Sequence, residues 1–236
     1  MTRLPWTITA EMFLSETEVE RLLARVRGTH RSSPRTDHPT AVLDRVIIEL
    51  LLFSGLRTSE CCGLKLADTP AGHDASTIVV HGRLGASRTV YIPRWLSDLT
   101  REFASQIRPQ FLPVDVRPDD LELPWLISER GRPFNRTGLY RRVKRILTDA
   151  GLGERASVQL LRHTYGFLAY KRTGGNLLFV QRQLGHAHPM ITSVYAQLVD
   201  ESYEDLAELP SGLVTAWTGS KPRNLLAPLS QSEHRP

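Results

Sequence analysis

Val42, Leu43, Val46, Ile47, Leu50 and Leu51 recur three and four residues apart, and the run stops at Gly55. This spacing predicts an amphipathic helix ended by glycine. It places Ser54-Gly55-Leu56-Arg57-Thr58-Ser59-Glu60 at a helix terminus, with Arg57 at the entry to a short helix running to about Leu64. Upstream, Ser15-Glu16-Thr17-Glu18 reads as a capping box. Val19, Leu22, Leu23 and Val26 then follow at helical spacing, with Gly28 as the expected end. Residues 29–40 are polar, contain Pro34 and Pro39, and read as a loop.

The texture then changes. Thr77-Ile78-Val79-Val80 and Thr89-Val90-Tyr91-Ile92 are β-rich runs flanking a Gly82 to Arg88 turn, which predicts a hairpin in a small sheet. Helical signals return from Trp95 to about Ile107. The proline-rich stretch from Pro109 to Pro124 reads as a connection, and Trp125-Leu126-Ile127 as a short strand. Further helices are expected at Leu139–Ala150, Val158–Thr173, Leu177–Leu184 and Thr192–Leu198. No internal repeat is visible. The fold class is α+β, mainly helical, with one small antiparallel β-sheet. Residues 1–12 read as an N-terminal extension, 13–217 as one domain, and the Pro/Ser/Arg-rich residues 218–236 as a disordered tail.

A chain of 236 residues can bury a substantial core. Its net charge of +5 suits a polyanionic partner. Four lysines (Lys65, Lys144, Lys171, Lys221) stand against 26 arginines. Arginine's planar fork fits phosphate, although an arginine-favouring codon bias explains the count equally well. The two cysteines, Cys61 and Cys62, are adjacent. Neighbouring cysteines rarely bridge and two make a poor zinc site, so both read as small packing residues in a reducing cytoplasm. The N-terminus shows no signal-peptide pattern, and no apolar run reaches the length of a membrane span.

The chemistry is carried by Leu184-Gly185-His186-Ala187-His188-Pro189-Met190-Ile191-Thr192-Ser193-Val194-Tyr195, in which a histidine precedes a tyrosine by nine residues. Two arginines lie upstream, Arg57 and Arg162, the latter in Leu160-Leu161-Arg162-His163-Thr164-Tyr165-Gly166. Two guanidinium groups can hold the non-bridging oxygens of a phosphodiester, a histidine can add a hydrogen bond, and a tyrosine hydroxyl can attack phosphorus. Arginine charge makes a metal or other cofactor unnecessary. Taken singly, Arg57 is more simply a helix-end ion pair and Arg162 a solvated helix residue. Their flanks and order together favour a site.

This ordered set resembles the tyrosine recombinase, or phage integrase, family, from about Phe13 to about Leu198. The resemblance implies that family's catalytic-domain fold. It also implies site-specific cleavage and rejoining of double-stranded DNA through a 3′-phosphotyrosine link. Tyr195 would be the nucleophile, Arg57, Arg162 and His186 would hold the phosphate, and Glu60 would support Arg57. Tyr165, Tyr170 and Tyr203 lack the preceding Leu-Gly-His. Guanidinium charge is expected to favour the Tyr195 phenolate. Arg141, Arg142, Lys144 and Arg145 are candidate contacts to the DNA backbone, weighed evenly against a merely solvated helix face.

Two positions depart from the family pattern. Arg83 aligns with the hairpin lysine, a poor exchange where a proton must be given to the leaving 5′ oxygen. Gln159 stands three residues before Arg162, where the family usually has histidine. His163 is one helical step, about 100°, from Arg162, and is not expected to substitute. The helical domain that clamps DNA in many family members is expected to be absent, which fits either a short member or a fragment. A catalytically weak DNA-binding relative and a type IB topoisomerase-like enzyme are the alternatives. The resemblance also implies a C-terminal helix, around Leu198, Tyr203, Leu206, Leu209 and Leu213, that mediates tetramer assembly on DNA. The expected setting is the bacterial cytoplasm, in association with the nucleoid, and not a membrane.

Overall fold

A computed structural model describes residues 9–31, 38–82 and 85–196. Helix α1 (Glu16–Arg31) opens with the expected reciprocal cap: Ser15 N–H donates to Glu18 Oε2 at 2.9 Å and Glu18 N–H to Ser15 Oγ at 3.2 Å. The helix runs on through Gly28, which has open space about its α-carbon and is not among the positive-φ glycines. It is therefore an ordinary helical residue and not a cap. Helix α2 (Pro39–Ser54) begins earlier than expected, with Pro39 at its first turn and His38 Nδ1 accepting from Thr40 N–H.

The expected apolar stripe of α2 is in fact apolar on nearly every side. Ile48 and Leu52 are buried along with the six residues that carry the pattern. A helix apolar all round is a central one, and α2 packs against α1, α4 (Arg94–Glu102), α5 (Arg136–Asp149) and α6 (Val158–Arg172). Each such side chain contributes roughly 1.5–3 kcal/mol through burial. The one acid on α2 that is wholly buried, Glu49, is matched by Arg27 at 2.5 Å and Arg45 at 3.4 Å.

Strands β1 (Thr77–His81) and β2 (Ser87–Tyr91) form the hairpin, antiparallel, with Ile78 opposite Val90. Beyond α4 the chain makes a wide turn over Phe103–Ile107 and a tight one over Arg108–Phe111. The fully buried Arg108 donates to the carbonyls of Pro118, Pro124 and Trp125, which holds the proline-rich connection against the domain. Trp125-Leu126-Ile127 is not a strand. Trp125 N–H donates to Leu64 O at 2.8 Å, and only isolated bridges form here, pairing Pro124 with Lys65 and Ile127 with Pro133. Its apolar run marks core burial, with Trp125 edge-on to Phe103.

Helix α5 starts three residues before Leu139, because Asn135 caps it through Gly138 N–H at 2.7 Å. Helices α6 and α7 (Leu177–Leu184) match their expected spans. The last expected helix instead lies earlier, as α8 (Pro189–Ser193), and Tyr195 occupies the turn after it. Cys61 on α3 (Thr58–Gly63) is buried and Cys62 half-buried, both free thiols; burial pushes Cys62 up to about 11, against the charge of Arg136. Among the described residues no helix is long and apolar enough to cross a membrane. Arg83 and the segment from 197 onward lie outside the described residues.

Candidate active site

Two left-handed glycines build the site. Gly55 (φ 62°) ends α2 and Gly185 (φ 62°) ends α7. Both turn a carbonyl toward an arginine: Gly55 O accepts from Arg162 Nη1, and Gly185 O accepts from Arg57 Nη2 at 2.9 Å. Arg162 Nη2 also donates to Leu184 O at 2.7 Å, so this one guanidinium joins the ends of α2 and α7. Side chains are excluded at both glycines. A Cβ on Gly55 would stand 2.5 Å from the Tyr165 ring, and one on Gly185 would stand 2.8 Å from Arg88 Nε.

Arg57 precedes α3, and Glu60 reaches back to it. The carboxylate accepts from Arg57 N–H at 2.8 Å and from Arg57 Nη1 at 2.7 Å. Glu60 also takes a two-pronged bond from Arg88 of β2, at 2.7 and 2.8 Å. Burial would raise this carboxyl, but Arg88 and the Arg57 amide outweigh it and bring it down to about 2. Glu60 is thus ionised and shared. Arg57, Arg88 and Arg162 surround one carboxylate, leaving an excess of positive charge suited to an anion. Arg88 was not among the residues singled out from the sequence. Its signal was faint, a lone charged residue on a strand. Gln183 locks β2 to α7 by reading the Tyr91 peptide: it accepts from its N–H at 2.9 Å and donates to its carbonyl at 3.0 Å.

Arg57, Gln159, Arg162 and His186 line a single cleft of about 650 Å³, together with Arg136 and Tyr140 from the first turns of α5. Arg136 was missed because α5 was expected to begin only at Leu139, whereas Tyr140 lay inside the expected helix and was passed over for the basic residues beside it. Arg162 is buried, and desolvation, with help from Arg57, lowers its pKa to about 10. His186 is lowered to about 4 by burial and by Arg162 and Arg57. It is therefore neutral near pH 7. Its Nδ1 lies 2.9 Å from Thr192 Oγ1, so with Nδ1 accepting, Nε2–H is available to the cleft.

Tyr195 does not line that cleft. It is only 1% exposed, with its ring against Gly166 and its hydroxyl 3.1 Å from His163 Nδ1. Burial raises the phenol to about 12, and the charge of Arg162 only partly opposes this. The expectation that guanidinium charge would favour the phenolate is therefore corrected: desolvation wins. His163 makes a contact that its helical position relative to Arg162 did not disclose. The 100° step that turns it away from the Arg162 contacts turns it onto the Tyr195 hydroxyl. Gln159 Nε2 stands 3.0 Å from the other His163 nitrogen.

The basic run on α5 divides. Arg142 is buried, donating to Asp44 at 2.5 Å and Glu129 at 2.6 Å, and stacks over Phe134. It braces α5 against α2 and is withdrawn from the surface, contrary to the expected backbone contact. Arg145 is half exposed and bonded to Asp44 at 2.8 Å, whereas Arg141 and Lys144 are exposed. Among the described residues no three His, Cys, Asp or Glu side chains are grouped to hold a metal ion.

The family model described as "Phage integrase family" matches residues 12–202. A tyrosine recombinase XerC of Halalkalibacterium halodurans is 32% identical over 198 residues, covering 82% of this chain and 60% of the relative. A tyrosine recombinase XerD of Pseudomonas aeruginosa is 29% identical over 197 residues, covering 82% and 59%. The chain thus spans about six tenths of the length of these relatives. Among solved structures, XerA recombinase matches with a TM-score of 0.62 at 24% identity, covering 93% of this chain and 68% of the other. The XerH site-specific recombinase in a post-cleavage complex with palindromic difH substrate matches with a TM-score of 0.65 at 23% identity, covering 86% and 54%.

Proposed function

Because this chain belongs to the phage integrase family, we propose that it is a site-specific DNA recombinase or integrase that cuts and rejoins double-stranded DNA through a 3′-phosphotyrosine intermediate. The observation that carries this reading is the convergence of Arg57, Arg162 and His186 on one cleft, with the Tyr195 hydroxyl close enough to feel the charge of Arg162. The scissile phosphate enters the cleft. Arg57, half exposed, and Arg162 take its non-bridging oxygens, where charge grows as the nucleophile adds. Arg162 is held by two helix-terminal carbonyls and Arg57 by Glu60 and Gly185, so little reorganisation is needed. Neutral His186 donates from Nε2. The Tyr195 oxygen attacks phosphorus in line with the departing 5′ oxygen. The phosphorus–oxygen bond to the 5′ side breaks, and the 5′ hydroxyl later reverses the step on a new strand.

Arg83 and Gln159 occupy positions that are lysine and histidine in the family pattern, and they make protonation of the 5′ oxygen the slow event. Arg141 and Lys144 contact flanking backbone phosphates. The segment after Tyr195 joins neighbouring subunits into a tetramer on DNA, in the cytoplasm with the nucleoid. A nicked suicide substrate, from which the 5′ fragment diffuses away, tests the central reading. The parent should form a covalent adduct, while Tyr195→Phe should form none yet retain DNA binding. An adduct with the phenylalanine variant at the parental level refutes it. Deleting residues 201–236 should leave a DNA-binding monomer that builds no higher complexes; an unchanged assembly refutes the subunit contact.

A further inference from the structure

Tyr195 presents a chemical problem that the cleft does not solve. Its hydroxyl is buried and its proton is firmly held, with the phenol raised to about 12 by burial. At neutral pH something must remove that proton as the oxygen bonds to phosphorus. Arg57 and Arg162 are cations with no acceptor to offer. Gln159 cannot take a proton. Among the described residues, one basic nitrogen stands at the hydroxyl, His163 Nδ1, at 3.1 Å.

We infer that His163 is a catalytic residue, the general base that accepts the Tyr195 proton during cleavage and returns it during rejoining. The inference rests on the strand-transferase reading above. In the forward step the phenolic O–H breaks and the proton goes to Nδ1. The phenolic oxygen uses its electron pair to bond phosphorus, and the departing 5′ oxygen keeps the pair of the broken P–O bond and takes a proton from water. Religation runs this in reverse, the imidazolium reprotonating the tyrosine as it leaves.

Gln159 suits this role. With its amide N–H donating to His163 Nε2, the imidazole carries its proton on Nδ1 and donates to the tyrosine. Turning the amide by half a rotation puts the carbonyl oxygen there instead. Nε2 then holds the proton and Nδ1 is free to accept. A glutamine serves both tautomers, and in the second it also accepts a hydrogen bond from the imidazolium that proton transfer creates. The ionisable groups around His163 are Tyr195, Arg162, which with burial keeps the imidazole below its usual range, His186 of the cleft, and Arg155 and Glu11 beside the shallow depression His163 lines. His163 is accordingly neutral, as a base must be, at pH 7 and somewhat below.

Single-turnover adduct formation by the full chain tests this with His163→Asn and His163→Ala. Asparagine keeps a polar atom near Nδ1 but cannot ionise, so it controls for packing if the alanine variant folds poorly. The parental rate should be level around neutrality and fall in acid, where the imidazole, held below its usual range, takes up a proton. The asparagine variant should be slower by on the order of 100-fold at pH 7 and should rise steadily with alkalinity instead. A 5′-phosphorothiolate substrate, whose sulfur leaves without needing a proton, should not repair this defect. A parental rate and profile in the asparagine variant overturn the inference, as does full rescue by sulfur, which would place His163 at the leaving group. Absence of any Tyr195-dependent adduct from the parent overturns the strand-transferase reading and this inference together.

Discussion

The Tyr195 ring rests on the α-carbon of Gly166: a Cβ built there would stand 2.4 Å from Cζ and 2.6 Å from the hydroxyl oxygen. A glycine inside a fifteen-residue helix costs about 1 kcal/mol relative to alanine, and the space it frees is filled by the proposed nucleophile.

Gly166→Ala should therefore separate helix propensity from site geometry. The helix gains propensity, but the Tyr195 ring must move by roughly an ångström, a displacement that costs on the order of 100-fold in a positioned reaction. Adduct yield should fall by about that factor while mobility-shift binding of DNA persists. Parental adduct rates in this variant would mean that the ring abandons Gly166 before reacting.

The two phosphate-binding arginines should behave differently when lost. Arg162 is buried and satisfies two backbone carbonyls, whereas the Arg57 side chain is 42% exposed. Both alanine variants should lose cleavage far more than binding, because binding is spread over many phosphates. Arg162→Ala should also lower stability, by about 2–3 kcal/mol for carbonyls left without their charged donor. Denaturant melts of both variants check this. An Arg162→Ala variant as stable as the parent would show that the Arg162 carbonyl contacts are replaced by water without cost.

How much of this was legible beforehand follows the range of each signal. Short-range chemistry was readable: Gly55 as a helix end, the Leu177–Leu184 span of α7, the Ser15–Glu18 cap, and the hairpin from its β-branched runs. Arg57, Gln159, Arg162 and His186 were named from their flanks, and they do share one cleft. Partnerships across long stretches of sequence were not legible. Arg88 is bound to Glu60, 28 residues away, and nothing local to β2 announces it. Arg142 belonged on paper to an exposed basic run, yet Asp44, 98 residues earlier, draws it inward. His163 was set aside on helix geometry that considered Arg162 alone, since the position of Tyr195 depends on where α8 ends. Trp125-Leu126-Ile127 resembled a strand because a short apolar run does not distinguish burial from pairing.

Acid should act on this fold most strongly through Glu60 and His186, and both lose stability in the same direction. Glu60 sits at about 2 against an ordinary 4.5, so its contribution is complete above 4.5 and is lost as pH falls toward 2. His186 is held at about 4 against 6.5. The unfolded chain therefore binds the extra proton between those values, and stability falls as pH drops through that window. Glu60→Gln should cost about 3 kcal/mol at pH 7, because Arg57 and Arg88 lose their shared charge. It should also flatten the melting-temperature profile between pH 4.5 and 2. A profile that keeps its parental slope there would remove Glu60 as a main source of the acid sensitivity.

Arg83 offers the complementary test, on the leaving side of the reaction. The 5′ oxygen gains charge as its bond to phosphorus breaks and must end with a proton. An ammonium can give one, whereas a guanidinium almost never does. If Arg83 takes the place of the family lysine, Arg83→Lys should raise the single-turnover cleavage rate on ordinary DNA. The parent should cut a 5′-phosphorothiolate substrate much faster than the oxygen substrate, and on sulfur the gap between parent and lysine variant should shrink toward nothing. The contrast with His163 is diagnostic: sulfur compensates for a poor acid at the leaving oxygen and leaves a missing base at Tyr195 uncompensated. If Arg83→Lys changes nothing and sulfur gives the parent no advantage, then another group or solvent protonates the 5′ oxygen. The slow event would then move to the nucleophile, where burial holds the Tyr195 proton most tightly.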